Sequence, residues 1–314
     1  MKKNHLINIL KNWKNPFYLR NVFIFKLFSI IYRRNNGAFI FDEDWDNLII
    51  LDACRYDIFE KEFRKRGMIG TLQEKKSRGS HTISFLLENF RKDRYDDIIY
   101  ITANPYVNKV LKNKFFKIIS PWKDQWDEVF HTVLPQTMYD LTIETALKYP
   151  NKKLIIHFMQ PHFPYIDSKY SHINIRDLSK SIYNTNSTSK IKKKNSLLVI
   201  YCAKFYTTAS RTTQINAYKK NLELVLNHVE KLINFLPGIT VISSDHGEAF
   251  GEIIHPLLPI RYFGHHRRIK MPILLKIPWL RIKPEEKDFQ YQKEIKEKQK
   301  IKKALENFNI NNSI

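Results

Sequence analysis

The chain has 314 residues, of which 43% are hydrophobic and 13% aromatic. That is enough apolar material for one large α/β domain with appendages, or for two ordinary domains, and it excludes a disordered chain. The formal net charge of +22 favours anionic partners such as phosphate or sulfate esters and acidic lipid surfaces, but no nucleic-acid-binding module is recognisable and no specific nucleic acid is expected.

Glycine is scarce, with 8 residues and neither GxGxxG nor a P-loop, which argues against a glycine-rich nucleotide cradle. Cys54 and Cys202 lie far apart, form no metal pattern and fit a reducing compartment. Residues 1–40 read as a basic helical extension. Its most apolar run, NVFIFKLFSIIY at 21–32, contains Lys26 and is too short to span a bilayer. It reads as a helix packed on the domain, with peripheral contact to an acidic membrane surface as the alternative. No signal peptide or transmembrane helix is evident, so the expected location is cytoplasmic, peripheral to a membrane if the basic segment binds one.

Residues 41–283 alternate strand and helix patterns. Asn47 to Leu51 is a buried strand ending in Asp52, and a helix follows over 54–67. KKSRGSHTISFLLENF is a polar loop entering a helix at 82–91. DIIYITANP is a strand ending at Asn104, and KKLIIHFMQPHFPY is another ending at His157. A polar, low-complexity insertion occupies 179–196. The pattern over 212–236 is a long amphipathic helix with Leu222, Val225, Leu226, Val229 and Leu232 on one face. Ile239 to Ile242 is a short strand that runs into Ser-Ser-Asp-His-Gly, and MPILLKI at 271–277 is the last strand. Residues 284–314 form a charged tail. This alternation predicts an α/β fold: a mostly parallel central sheet with helices on both faces.

Polar clusters sit at the ends of these elements: Asp52; Ser80 and Thr82; His157 and His162; Asp245 and His246; His265 and His266. In a parallel sheet the strand ends meet at one edge, where ligands bind. Two carboxylates and an imidazole, Asp52, Asp245 and His246, suit a divalent ion. Such an ion lowers the pKa of a bound hydroxyl and offsets charge on a transferring group. Thr82 or Ser80 is the candidate nucleophile, and a helix N-cap is the plainer role for either. His162 and His265 are candidates for holding ester oxygens or protonating a leaving group. Arg55 is a candidate anion contact, against pairing with Asp57, and Glu248 reads as a brace rather than a ligand.

In this order the motifs resemble those of the alkaline phosphatase and sulfatase superfamily, over about residues 45 to 280. NLIILDACRYD resembles its opening strand, SRGSHTISFLLENF its nucleophile loop, IIHFMQPHFPY its His-x-Pro segment, VISSDHGEAFGE its Asp-His-Gly-Glu motif, and YFGHHRRIKMPILLKIP its late histidine and strand. The resemblance implies Asp52, Asp245, His246 and Thr82 as metal ligands, Thr82 as nucleophile, and His162 and His265 as catalytic and substrate-binding residues. It departs from formylglycine sulfatases, which need Cys or Ser in Cys-x-Pro-Ser-Arg where this chain has Thr82-Ile83-Ser84-Phe85. No Asp-x-x-x-His pair for a second metal occurs near His162. The pattern is similar to the phosphoethanolamine and phosphoglycerol transferases. It implies a hydrolase or transferase acting on phosphate esters, chiefly phosphodiesters, through a phosphothreonine intermediate. One divalent ion is expected, manganese, zinc or magnesium ahead of calcium, with a second ion possible in principle. The substrate is an anionic ester, glycan- or lipid-linked in the family. The alternatives are a sulfuric ester hydrolase and a non-catalytic module of the same fold that binds anionic glycans or lipids.

Overall fold

The computed structural model describes residues 36–166, 209–255, 258–266 and 269–288. Residues 1–35 of the expected N-terminal extension, the insertion at 179–196 and all but the start of the charged tail lie outside the described residues, and 36–40 are not helical.

Seven strands form one sheet in the order β2-β9-β6-β1-β5-β3-β4. Its centre is β1 (Asn47–Leu51), parallel to β5 (Lys153–Phe158) on one side and to β6 (Thr240–Ser243) on the other. Beyond β5 lie β3 (Tyr95–Thr102) and β4 (Phe115–Ile119), also parallel. Beyond β6 lie β9 (Lys276–Ile282), antiparallel to it, and β2 (Thr71–Lys76), antiparallel to β9. The sheet is therefore mostly parallel with two antiparallel pairings at one margin, as the alternation of strands and helices predicts.

The run NLIIL makes β1 a central strand because alternate side chains leave opposite faces and both faces are covered. Ile49 and Leu51 enter one apolar cluster with Leu222, Val225, Leu226, Val229 and Leu232 of the long helix Arg211–Phe235. Leu48 and Ile50 enter the other, with Phe85 and Leu86 of the helix Thr82–Asn89 and Trp279 of β9. A one-residue slip of β1 would exchange the two sets and misplace Asp52.

The helix expected over 54–67 spans Tyr56–Arg66 and is closed by Gly67 in the left-handed conformation, φ 59°. The predicted strand at 271–277 is corrected. Pro272–Leu275 is a single helical turn, and the strand runs from Lys276 to Ile282. Pro272 opens that turn, where its missing N–H costs nothing, and Leu274 and Leu275 bury against the core. The sequence reading did not anticipate β2, β4, the helices Tyr106–Val110 and Pro135–Lys148, or the hairpin of β7 (Ala249–His255) with β8 (Leu258–Gly264). TLQEKK of β2 is polar because it is a sheet edge, where lysines discourage pairing with another chain. No helix among the described residues is long and apolar enough to cross a membrane.

Candidate active site

The carboxyl ends of β1, β3, β5 and β6 lie at one sheet edge, and the polar residues that follow them converge there. The turn after β1 is fixed by its neighbours. Ala53 has φ 58°, a left-handed conformation that costs a non-glycine residue about 1–2 kcal/mol. Hydrogen bonds offset that cost. The Ala53 N–H donates to Asp245 Oδ1 (3.0 Å), the Cys54 N–H to Ser244 Oγ (2.8 Å), and the Arg55 N–H to the Tyr218 hydroxyl (2.9 Å). The Tyr218 hydroxyl in turn donates to Ala53 O at 2.8 Å. The β1 turn is thus lashed to the β6 turn and to the long helix, which sets Asp52 beside Asp245.

Both carboxyl groups are buried. Asp52 Oδ2 accepts from Asn104 Nδ2 at 2.6 Å and lies 3.6 Å from His157 Nε2, while Oδ1 has no hydrogen-bond partner. Burial alone would raise its pKa, but the His157 ring and the imidazoles around it outweigh burial and hold the carboxyl well below the usual range. Asp245 Oδ1 accepts the N–H groups of Ala53 and His246, and Oδ2 has no partner.

His246 is fully buried, and its Nδ1 lies 2.9 Å from Gly247 O. A carbonyl only accepts, so Nδ1 carries the proton and Nε2 carries a lone pair. Burial lowers the pKa of this imidazole and keeps it neutral. Nε2 lies 3.3 Å from Thr82 Oγ1, 3.3 Å from Asp245 Oδ2 and 3.7 Å from Asp52 Oδ1. Two unpartnered carboxylate oxygens, an imidazole lone pair and a hydroxyl therefore face one point. Such a set is costly when empty of positive charge and fits a divalent cation. Gly247 permits the turn, because a Cβ there would meet Ile273 O at 2.2 Å.

Thr82 is the first residue of its helix and Ser80 precedes it. The two hydroxyls diverge. Ser80 Oγ donates to His266 O (3.2 Å), whereas Thr82 Oγ1 faces His246 and lies 3.5 Å from Asn104 Nδ2. Thr82 is thus the hydroxyl at the carboxylate cluster, and the helix cap falls to His81, whose Nδ1 accepts the Ile83 N–H at 3.1 Å. The His81 imidazole is pushed down to about 2, first by burial and then by the neighbouring His265 and His246.

A second cluster borders the first. His265 Nδ1 lies 3.0 Å from Glu248 Oε2, and the His265 ring is 4.2 Å from that of His246 and 5.0 Å from that of His162, centroid to centroid. Ligand atoms of His162, Glu248 and His265 all fall within 4.8 Å of one another. Burial pushes the Glu248 carboxyl up, but the His265 charge and hydrogen bond outweigh it and leave the pKa lowered. Burial pushes His265 down, but Glu248 outweighs it and leaves that pKa raised. The His162 N–H donates to Asp52 O (3.2 Å), so the two clusters share one backbone frame. Arg55 stands differently. Its guanidinium is held by Asp57 (2.8 and 2.9 Å) and Glu252 (2.7 Å), the pairing set against anion binding above.

Three site residues had no assigned role in the sequence. His157 is fully buried, with Nδ1 3.0 Å from the Tyr100 hydroxyl, and His157, Asp52 and Asp245 offer ligand atoms within 4.8 Å of one another. Asn104 bridges Asp52 and Thr82; its only signal was its place at the end of a strand, before Pro105. His81 read as part of a polar loop.

No family model matches the sequence, and no curated protein matches it. Solved structures do match. The integral membrane protein lipooligosaccharide phosphoethanolamine transferase A from Neisseria meningitidis aligns over 91% of this chain and 59% of its own, with TM-score 0.50 and 14% identity. This chain spans about three fifths of that protein's length. The soluble domain of the same transferase aligns over 78% of this chain and 79% of its own, with TM-score 0.49 and 15% identity. A zinc complex of the C-terminal periplasmic domain of EcEptC from Escherichia coli covers 82% of this chain and 77% of its own, with TM-score 0.44 and 13% identity. At these identities the likeness is one of fold.

Proposed function

We propose that the protein is a metal-dependent enzyme of phosphate esters, chiefly phosphodiesters, with Thr82 as nucleophile. The observation that carries this reading is the convergence of Thr82 Oγ1 and His246 Nε2 with the unpartnered oxygens of Asp52 and Asp245. Asp52, Asp245, His246 and the Thr82 hydroxyl would hold one divalent ion, and their mixed oxygen and nitrogen donors suit manganese, zinc or magnesium. When bound, it supplies a lowered pKa for the Thr82 hydroxyl and positive charge against the phosphoryl group.

Thr82 Oγ1, its proton released to solvent, attacks phosphorus as the bond from phosphorus to the leaving oxygen breaks, giving an alcohol and a phosphothreonine that keeps the other ester group of the diester. Asn104 keeps the Thr82 hydroxyl and the Asp52 carboxylate in register. His265, whose raised pKa is maintained by Glu248, gives its proton to the leaving oxygen, and His162 binds an ester oxygen beside it. Water or an acceptor hydroxyl then takes the phosphoryl group from Thr82. Hydrolysis and transfer share the first half of this sequence. A lipid- or glycan-linked ester is the substrate class we favour: the neighbouring transferase is an integral membrane protein of lipooligosaccharide chemistry, and residues 1–40 are basic. That segment is the proposed contact with an acidic membrane surface, and the catalytic domain, about residues 41–283, is proposed to lie on its cytoplasmic side.

The test is turnover of nitrophenyl phosphomonoester, phosphodiester and sulfate by metal-stripped protein resupplied with manganese, zinc or magnesium. Diester cleavage that requires metal and disappears in Thr82→Ala, with bound metal retained, is expected. Unchanged turnover in Thr82→Ala would refute the threonine mechanism, and preferential cleavage of the sulfate would move the reading to sulfuric esters.

A further inference from the structure

His81 is an unusual helix cap. Serine, threonine, aspartate and asparagine fill this position best, because a short side-chain oxygen reaches the free N–H groups of the first turn. Here an imidazole does so through Nδ1, which accepts the Ile83 N–H at 3.1 Å. The cap dictates the tautomer. A nitrogen that accepts a hydrogen bond bears no proton, so the imidazole is neutral and its proton sits on Nε2. Nε2 makes no hydrogen bond among the described residues, and His81 is only partly buried.

The ring lies inside the site. Its centroid is 6.0 Å from that of His246, nearly parallel at 18°, 5.2 Å from that of His265 and 5.9 Å from that of Tyr106. A cap alone needs no ring in that aperture, and serine would serve. We infer that His81 is a further substrate-binding residue, its Nε2–H donating a hydrogen bond to a non-bridging oxygen of the phosphoryl group attacked by Thr82. The inference rests on the function proposed above for the substrate class. Its core is narrower: a neutral donor, fixed in tautomer by the backbone, on a ring beside those of His246 and His265.

Replacement by another good cap separates the two roles. His81→Ser and His81→Asn keep an acceptor for the Ile83 N–H and remove the Nε2–H. Each variant is loaded with metal, and its affinity for inorganic phosphate is measured by calorimetry beside its thermal midpoint, metal content and nitrophenyl diester turnover. A hydrogen bond to a charged group is worth about 1.5–3 kcal/mol, so phosphate should bind about tenfold more weakly or worse, with midpoint and metal content unchanged. Turnover should fall through kcat/KM by a similar factor. Phosphate affinity equal to that of the native protein in either variant would overturn the inference, as would absence of phosphate binding by the native protein. Failure of both variants to fold would also overturn it, by assigning the ring to packing. A native protein that binds phosphate through His81 and yet turns over no ester would sink the proposed function and leave the anion contact standing.

Discussion

Asp245→Asn reports whether the buried carboxylates are built for a cation. Asp245 and Asp52 are both buried and offer ligand atoms within 4.8 Å of one another, together with His157. Asp245 Oδ2 and Asp52 Oδ1 have no hydrogen-bond partner. Two negative charges at 4.8 Å repel by about 3 kcal/mol at an effective dielectric of about 20. Asparagine keeps Oδ1 for the N–H groups of Ala53 and His246, and it places an NH₂ donor where the orphan oxygen stands, 3.3 Å from His246 Nε2. After the native contacts are kept, a gain of about 1–2 kcal/mol is expected in metal-stripped protein, since a buried unpaired charge is replaced by a satisfied amide. Saturating metal should reverse the order. A ligand at a thousand times its Kd adds about 4 kcal/mol to the native protein and little to a variant that cannot hold it. Urea denaturation with chelator and then with manganese or zinc measures both, provided the slopes agree. A stripped variant that unfolds at lower urea than stripped native protein would refute the reasoning. So would a metal increment of equal size in both.

Two further outcomes follow from the same geometry. Asn104→Ala leaves Asp52 Oδ2 without its 2.6 Å donor; stability should fall by about 1–3 kcal/mol, and kcat should fall more than KM rises, checked by urea melts and steady-state kinetics. Glu248→Gln removes the charge that raises the His265 pKa, so the alkaline limb of the kcat profile should move to lower pH, and an unmoved limb would count against His265 as proton donor. The native pair contributes stability fully between the ordinary Glu and His values of 4.5 and 6.5, and loses it as pH falls through the lowered Glu248 value or rises through the raised His265 value. Thermal midpoints across pH should be flatter in the variant.

The placing of the candidate site's residues at one sheet edge was legible in outline because they follow apolar runs of strand length. Asp52 after NLIIL and Asp245-His246 after the run ending at Ser243 stand at positions that parallel pairing must bring to one edge, whatever the loops do. The same logic failed at MPILLKI, where periodicity over so short a run does not separate a turn of helix from a strand. It was silent for β2, whose polar composition reflects an exposed edge.

What the sequence determined by itself was the α/β class, the central strands and the polar residues that follow them, since these depend on local pattern and on chemistry carried by single side chains. Only the tertiary structure decided which hydroxyl meets His246, that Arg55 is also held by Glu252, and that Asn104 and His81 join the candidate site. The contacts of Thr82 with His246, of Asn104 with Asp52 and of Arg55 with Glu252 join residues 164, 52 and 197 apart in the chain. Such contacts are set by strand order and by the packing of two helices on the sheet, and no periodicity within one segment encodes them.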